Sequence, residues 1–168
     1  MSEMVDPMDS LVGYQAAFAQ GLIAPIQCRM SPDVKVFVDE PQGPSGPRRF
    51  SYTIFENDTA IALALLITGQ PLNGKPCFDL GYAVAETHRK LGLAEKVVQA
   101  AISEMQYGLS ANGVTEFYVE AIVGRGNIAS QKVAAKTVQS TPSEVTDSYS
   151  GEPAYRYVRL IESARQDD

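Results

Sequence analysis

The sequence predicts one α+β domain, a mixed α/β sandwich whose mostly antiparallel sheet carries helices on both faces, spanning residues 1–168. Three patterns predict it. Residues 50–56 alternate apolar and polar, Asn57-Asp58 supplies a turn, and the wholly apolar run 60–67 follows, which together read as a β-hairpin with a second strand buried on both sides. Twice thereafter a strand pattern is followed by a turn and a helical period, at 78–105 and at 115–137. A last hairpin closes the chain, 144–148 with 154–161 around Ser150-Gly151-Glu152-Pro153. A meander, two strand–helix units and a hairpin leave helices to cover both faces of one sheet.

Taken in order, residues 9–18 read as a short helix with Asp9 or Ser10 as its cap. Residues 21–30 are ambiguous, and Val34 to Val38 alternate as a strand. Pro41 to Pro47 hold three Pro and two Gly, which break any ladder or helix, so this is a surface loop. Gln70 to Lys75 turn the chain into the strand 78–84. From about Gly92 the apolar positions Leu93, Ala94, Val97, Val98, Ala101, Ile102 and Met105 recur three and four apart, a helix burying one face and ending near Gly108. The strand 115–123, the turn Gly124-Arg125-Gly126 and a helix from Asn127 to about Thr137 follow, and Pro142 stops that helix.

Composition bounds the function. A chain of 168 residues with 45% hydrophobic and 20% charged residues buries an ordinary core. The acidic start with Glu3, Asp6 and Asp9 does not resemble a secretory signal, and the longest apolar run, 60–67, is too short to span a bilayer. Cys28 and Cys77 have no metal spacing, no His/Cys/carboxylate cluster suggests a metal, and both thiols are expected to stay reduced in the cytoplasm. A net charge of −6 and a pI near 4.8 argue against nucleic acid and no membrane partner is implied; the charge suits a cationic acceptor such as an amine.

The stretch from Leu80 to Ala94 organises the rest. A strand ends at Val84, a polar turn leads to Arg89-Lys90-Leu91-Gly92, and a helix begins at Leu93-Ala94. The first N–H groups of that helix are orphaned and the positive end of its dipole lies behind them, so the turn is an anion site suited to phosphate. Gly92 has no Cβ and Ala94 only a methyl, so a diphosphate could approach the backbone closely.

Arg89-x-x-Gly92-x-Ala94 after Gly81-Tyr82-Ala83-Val84 resembles the acetyl-CoA signature of the GNAT N-acetyltransferase superfamily. Asn127-x-x-Ser130-x-x-Val133-x-x-Lys136 resembles a helix of the branch that acetylates N-termini of bacterial ribosomal proteins. The resemblance covers about residues 48–160. It implies a central strand that splays from its neighbour, a further strand before the first helix (which this sequence does not show), acetyl-CoA as co-substrate, and an amine acceptor; it leaves a homodimer open. Two departures stand out. The family's Leu-Gly-Phe after the helix is here Thr137-Val138-Gln139, and the Tyr many members use to protonate the thiolate is here Ala134.

The implied roles are these. Arg89, Lys90, Leu91, Gly92, Leu93 and Ala94 hold the diphosphate, Tyr82, Ala83 and Val84 line the pantetheine, and Asn127 contacts CoA while capping its helix. Ser130 protonates the departing thiolate. Glu120, on the strand before Asn127, takes the proton from the amine; alternation puts it with Glu116, Tyr118 and Ile122, and the sequence leaves open which face meets the cleft. Asp79 is a weaker alternative base. Tyr157, with Tyr155 on the same face, could reach the acceptor, and His88 reads as a solvated or cofactor-edge residue.

The reading is acetyl transfer from acetyl-CoA to a primary amine, a protein N-terminus or a small amine, by direct attack. An α-amino group with pKa of about 7.7–8.0 loses its proton at neutral pH for under about 1 kcal/mol, against about 4 for a Lys near 10.4. A single carboxylate base therefore suits the low-pKa amine better. Two rivals stay open: a catalytically silent acyl-CoA-binding module, and a toxin acetylating aminoacyl-tRNA, against which the acidic pI counts.

Overall fold

The computed structural model describes residues 6–39 and 46–163. Helix α1 (Pro7–Ala19) precedes strands β1 (Ile26–Gln27), β2 (Val34–Asp39), β3 (Arg49–Glu56), β4 (Thr59–Thr68) and β5 (Cys77–Val84). A single 3₁₀ turn (Glu86–His88) leads to α2 (Leu93–Ala111), and β6 (Glu116–Gly124), α3 (Ile128–Thr137), β7 (Ser143–Thr146) and β8 (Pro153–Glu162) complete the chain. The sheet runs β1-β2-β3-β4-β5-β6-β8-β7, antiparallel throughout except between β5 and β6.

Most elements fall where the patterns put them. Helix α1 starts earlier than expected: its cap is Asp6, not Asp9 or Ser10, and the Asp6 carboxylate accepts from the Met8 N–H at 2.9 Å. Pro7 then sits at the first helical position, where its missing N–H costs nothing. The ambiguous 21–30 stretch yields only the two-residue edge strand β1. No strand precedes α1 among the described residues, and residues 41–45 of the predicted Pro-rich loop lie outside them.

The sheet has two packed faces. Phe78, Leu80, Phe117, Val119, Ala121 and Tyr157 point to one, where α2 buries Val97, Val98 and Ala101 completely. Leu63, Leu65 and Ala83 point to the other, under Leu11 and Tyr14 of α1. Strand β4 therefore gives side chains to both cores, which is why its sequence is an unbroken apolar run. Helix α3 lies beside α2, over β6 and β8. At its end Val138 turns into the core, and the Gln139 side chain accepts from the Val158 N–H at 2.9 Å. The Thr137 carbonyl accepts from Arg159 at 3.0 Å. The Thr-Val-Gln that replaces Leu-Gly-Phe is thus built into β8.

Candidate active site

The parallel pairing of β5 with β6 lasts three rungs, Cys77 with Tyr118, Phe78 with Val119 and Asp79 with Glu120. Beyond Asp79, β5 keeps its pairing with β4 as far as Val84, and β6 keeps its pairing with β8 as far as Gly124. The two strands therefore diverge as a fork, each with an unpartnered inner edge. Unpaired strand edges are ready to bind amides as if adding a strand. A cleft of about 750 Å³ occupies the fork, running from Asp6, Pro7 and Met8 on the α1 face to α2 and α3 on the other.

On the α2 side the cleft meets the predicted anion turn. Lys90 takes a left-handed φ of 65° and Gly92 one of 74°, so the chain coils tightly before Leu93. Gly92 caps α2 without any side-chain hydrogen bond, leaving the first N–H groups of the helix open to an external acceptor. Arg89, Lys90 and, from α3, Lys132 have no ion-pair partner among the described residues, and Lys136 lies 3.7 Å from Glu95. A chain of net charge −6 thus collects cations around this one mouth. These are the donors and charges a diphosphate needs, and acetyl-CoA fits them.

Of the predicted cofactor contacts, Tyr82, Ala83, Val84, Arg89, Lys90, Gly92, Leu93, Ala94 and Asn127 all line the cleft; Leu91 does not and is 68% exposed. Asn127 caps α3 by accepting from the Ser130 N–H at 3.1 Å, so its amide N–H₂ stays available. Ser130 lines the cleft one turn into α3. The Tyr82 hydroxyl reaches over from β5 and donates to the Ser130 carbonyl at 2.5 Å, tying one prong of the fork to α3. Burial pushes the Tyr82 phenol up to about 12.

The other side of the fork is acidic. Alternation sends Asp79 and Glu120 to the α1 face, answering which face the Glu116, Tyr118, Glu120, Ile122 set occupies. Glu120 is half-buried and accepts from Arg156 of β8 at 2.9 Å. Burial first, and then the charge of Glu120, push the Asp79 carboxyl up to about 6. Neither Asp79 nor Glu120 itself lines the cleft, nor does Tyr157, which is only 3% exposed in the core opposite Ala121. The Tyr157 phenol is pushed up by burial and is near enough to raise that of Tyr82. His88 lines the cleft at its cofactor edge, its Nε2 at 2.8 Å from Glu56 and its Nδ1 at 2.8 Å from Thr87.

Three features escaped the sequence reading. Arg156 sits 36 residues from Glu120, and only the β6–β8 register brings them together. Lys132 joins the mouth because i, i+4 spacing places it with Lys136, a signal that was present. Asp6 to Met8 line the cleft on its α1 side through the packing of α1, with Pro7 so close that a Cβ on Gly81 would lie 3.1 Å from its Cγ.

The family model for the acetyltransferase (GNAT) domain matches residues 34–137, more than half of the chain. The chain therefore belongs to the GNAT acetyltransferase family. No match was found among curated proteins. Among solved structures, an acetyltransferase of the GNAT family from Streptococcus pneumoniae is similar, with a TM-score of 0.51 and 17% identity over 67% of this chain and 66% of that one. The ribosomal-protein-S5-alanine acetyltransferase from Vibrio fischeri gives a TM-score of 0.50 with 12% identity over 71% and 64%. The chain thus spans just under two thirds of the length of these relatives. At such identities the likeness is one of fold. Among the described residues no helix is long and apolar enough to cross a membrane.

Proposed function

We propose that the protein transfers an acetyl group from acetyl-CoA to a primary amine by direct attack, without a covalent enzyme intermediate. One observation carries the reading: the fork opens through the sheet, joining a basic, uncapped helix terminus on one face to the start of α1 at Asp6, Pro7 and Met8 on the other. A donor held on the α2 side and an amine arriving from the α1 side would meet between the prongs. Arg89, Lys90 and the turn from Gly92 to Ala94 bind the diphosphate, the free edges of Tyr82 to Val84 and of β6 pair with pantetheine amides, and Asn127 adds a donor. A backbone N–H of the fork would polarise the thioester oxygen, and Ser130 would protonate the leaving thiolate. The acceptor class that fits best is an α-amino group, on a polypeptide N-terminus or a small molecule, in the cytoplasm.

The test has two parts. Acetyl-CoA should raise the melting temperature, by the equivalent of about 2.7 kcal/mol at 100 times its dissociation constant, while adenosine without phosphates should not. Amine-dependent release of CoA across a panel of α-amino and ε-amino acceptors then reports transfer. No thermal shift in millimolar CoA would end the reading.

A further inference from the structure

We infer that Asp79, and not Glu120, is the base that removes the proton from the attacking amine, with Glu120 and Arg156 as the pair that positions and tunes it. This rests on the acyl-transfer reading above and assigns a residue to it. Asp79 and Glu120 occupy the last shared rung of β5 and β6, on the face opposite the cofactor turn and just below the cleft, which neither of them lines. Their surroundings differ. Glu120 accepts from Arg156 at 2.9 Å, and a carboxylate so paired is stabilised in its charged form and a poor proton acceptor. The Asp79 side chain has neither a hydrogen bond nor an ion pair among the described residues. It is packed against Gly69, where a Cβ would come within 3.0 Å of its Oδ2, so only the missing side chain of Gly69 leaves it room. Gly81, the next residue of β5 on the same face, lines the cleft itself.

The ionisable groups around Asp79 are few. Glu120 of β6 is the one whose charge raises it, and Arg156 of β8 acts through Glu120. Cys77, two residues back on β5, feels the same charges and is itself pushed up to about 11, chiefly by burial. On β4 the cross-strand neighbour is Ile67, and beyond it Arg49 of β3 is turned to Ser10 of α1, donating at 2.7 Å. A carboxyl near 6 is ionised at neutral pH yet basic enough to take a proton from an α-ammonium.

The step balances as follows. An ammonium R–NH₃⁺ gives one proton, through a water beside Gly81, to the Asp79 carboxylate, and its freed lone pair forms the C–N bond at the thioester carbonyl. The C–S bond breaks with its electron pair on sulfur, and the second proton of the nitrogen ends on the thiolate through Ser130. Asp79 returns its proton to water, so one proton is released per acetyl group transferred.

The experiment is a pH–rate profile of kcat/KM on one α-amino acceptor for wild type, Asp79→Asn and Glu120→Gln, with the acetyl-CoA thermal shift measured on each. Expected are a loss of about 10²–10⁴-fold in Asp79→Asn at pH 7 that shrinks at high pH, with the thermal shift intact. Glu120→Gln should keep most of the rate and move the acid limb to lower pH, since the charge that raises Asp79 is gone. A near-normal rate in Asp79→Asn, or a larger loss in Glu120→Gln, would overturn the assignment, as would a loss of acetyl-CoA binding in Asp79→Asn. If wild type binds acetyl-CoA but acetylates no amine of the panel, the acyl-transfer reading fails and the assignment falls with it.

Discussion

Asp79 and Glu120 face each other on the last rung before β5 and β6 part, yet the cation beside them, Arg156, is bonded to Glu120 alone. Two like charges on one rung with a single counterion leave one carboxylate uncompensated. The folded state therefore holds a proton on Asp79 up to about pH 6, whereas the unfolded chain releases it near the usual 3.8. An acid raised in this way costs stability as pH climbs through that window, and the cost is complete above it. Asp79→Asn should thus stabilise the protein at pH 7–8 by about 1–2 kcal/mol after discounting for solvent screening, roughly 2–4 °C for each kcal/mol. The gain should vanish below about pH 4. Melting curves at both pH values check it, independently of any assay of activity.

The turn at Gly92 makes a second prediction. Its φ of 74° belongs to the left-handed region, but nothing lies within 4 Å of where a Cβ would stand. The penalty for a side chain is thus one of backbone conformation and not of collision with protein. Gly92→Ala should cost about 1–2 kcal/mol in a thermal melt, and Gly92→Val more, because branched residues resist that region further. Both should weaken the acetyl-CoA shift beyond what the lost stability explains, as the added methyl groups stand in the mouth of the cleft.

Asn127 carries two duties that substitutions can separate. Its carbonyl oxygen caps α3 at the Ser130 N–H, and its amide N–H₂ faces the cleft. Asn127→Ala should lose about 1 kcal/mol of stability with the cap. Asn127→Asp keeps an oxygen for the cap and adds a favourable charge at a helix start. It should hold the melting temperature while weakening acetyl-CoA binding, since a donor has become an anion. Equal affinity in Asn127→Asp would confine the residue to capping.

The backbone of Ser130 ties two elements together, its N–H meeting Asn127 and its carbonyl meeting Tyr82, and its side chain also lies against the Tyr82 phenol. Ser130→Ala leaves both backbone bonds in place, so with the melting temperature checked it tests the proton to the thiolate. The expected outcome is a fall in kcat with little change in KM for acetyl-CoA. A change in KM alone would assign the hydroxyl to holding the co-substrate.

Burial pushes the thiols of Cys28 and Cys77 up to about 12 and about 11. Thiolate is the reactive form, so neither should be alkylated by iodoacetamide at pH 8 in the native protein, and both should react once it is denatured. Mass spectrometry before and after denaturation reads this directly.

What the sequence revealed tracks how local each cause is. The period of Val97, Val98, Ala101 and Met105 and the unbroken run of β4 are written in neighbouring residues, so α2 and the two-faced strand were legible. So was the anion turn, since Gly92, Leu93 and Ala94 are consecutive. The cap of α1 was misplaced although Asp6-Pro7 spells a start, because Asp9 and Ser10 are equally good capping residues three positions on. The β1 strand left no trace, as two residues have no period. Three relationships exist only between distant segments: the number of rungs shared by β5 and β6, the capture of Glu120 by Arg156, and the seat of Asp79 against Gly69. Alternation could say that Glu120 and Tyr118 share a side, but which side α1 covers is decided by where α1 packs.

A sheet stitched along its middle by three rungs is two smaller sheets with a seam. Strands β1 to β5 and strands β6 to β8 are each continuously laced, and the lacing between them stops at Asp79. Whatever occupies the fork takes the position of the missing lacing, so a bound co-substrate is also a structural member bridging the halves. The protein without a bound co-substrate should then open first along this line, with rapid hydrogen exchange at those amides of residues 80–84 and 121–124 that point into the fork, and loading it should slow both sets together. The place proposed for the chemistry is the place where the architecture is unfinished, and supply of the acyl donor would then set the rigidity of the whole sheet.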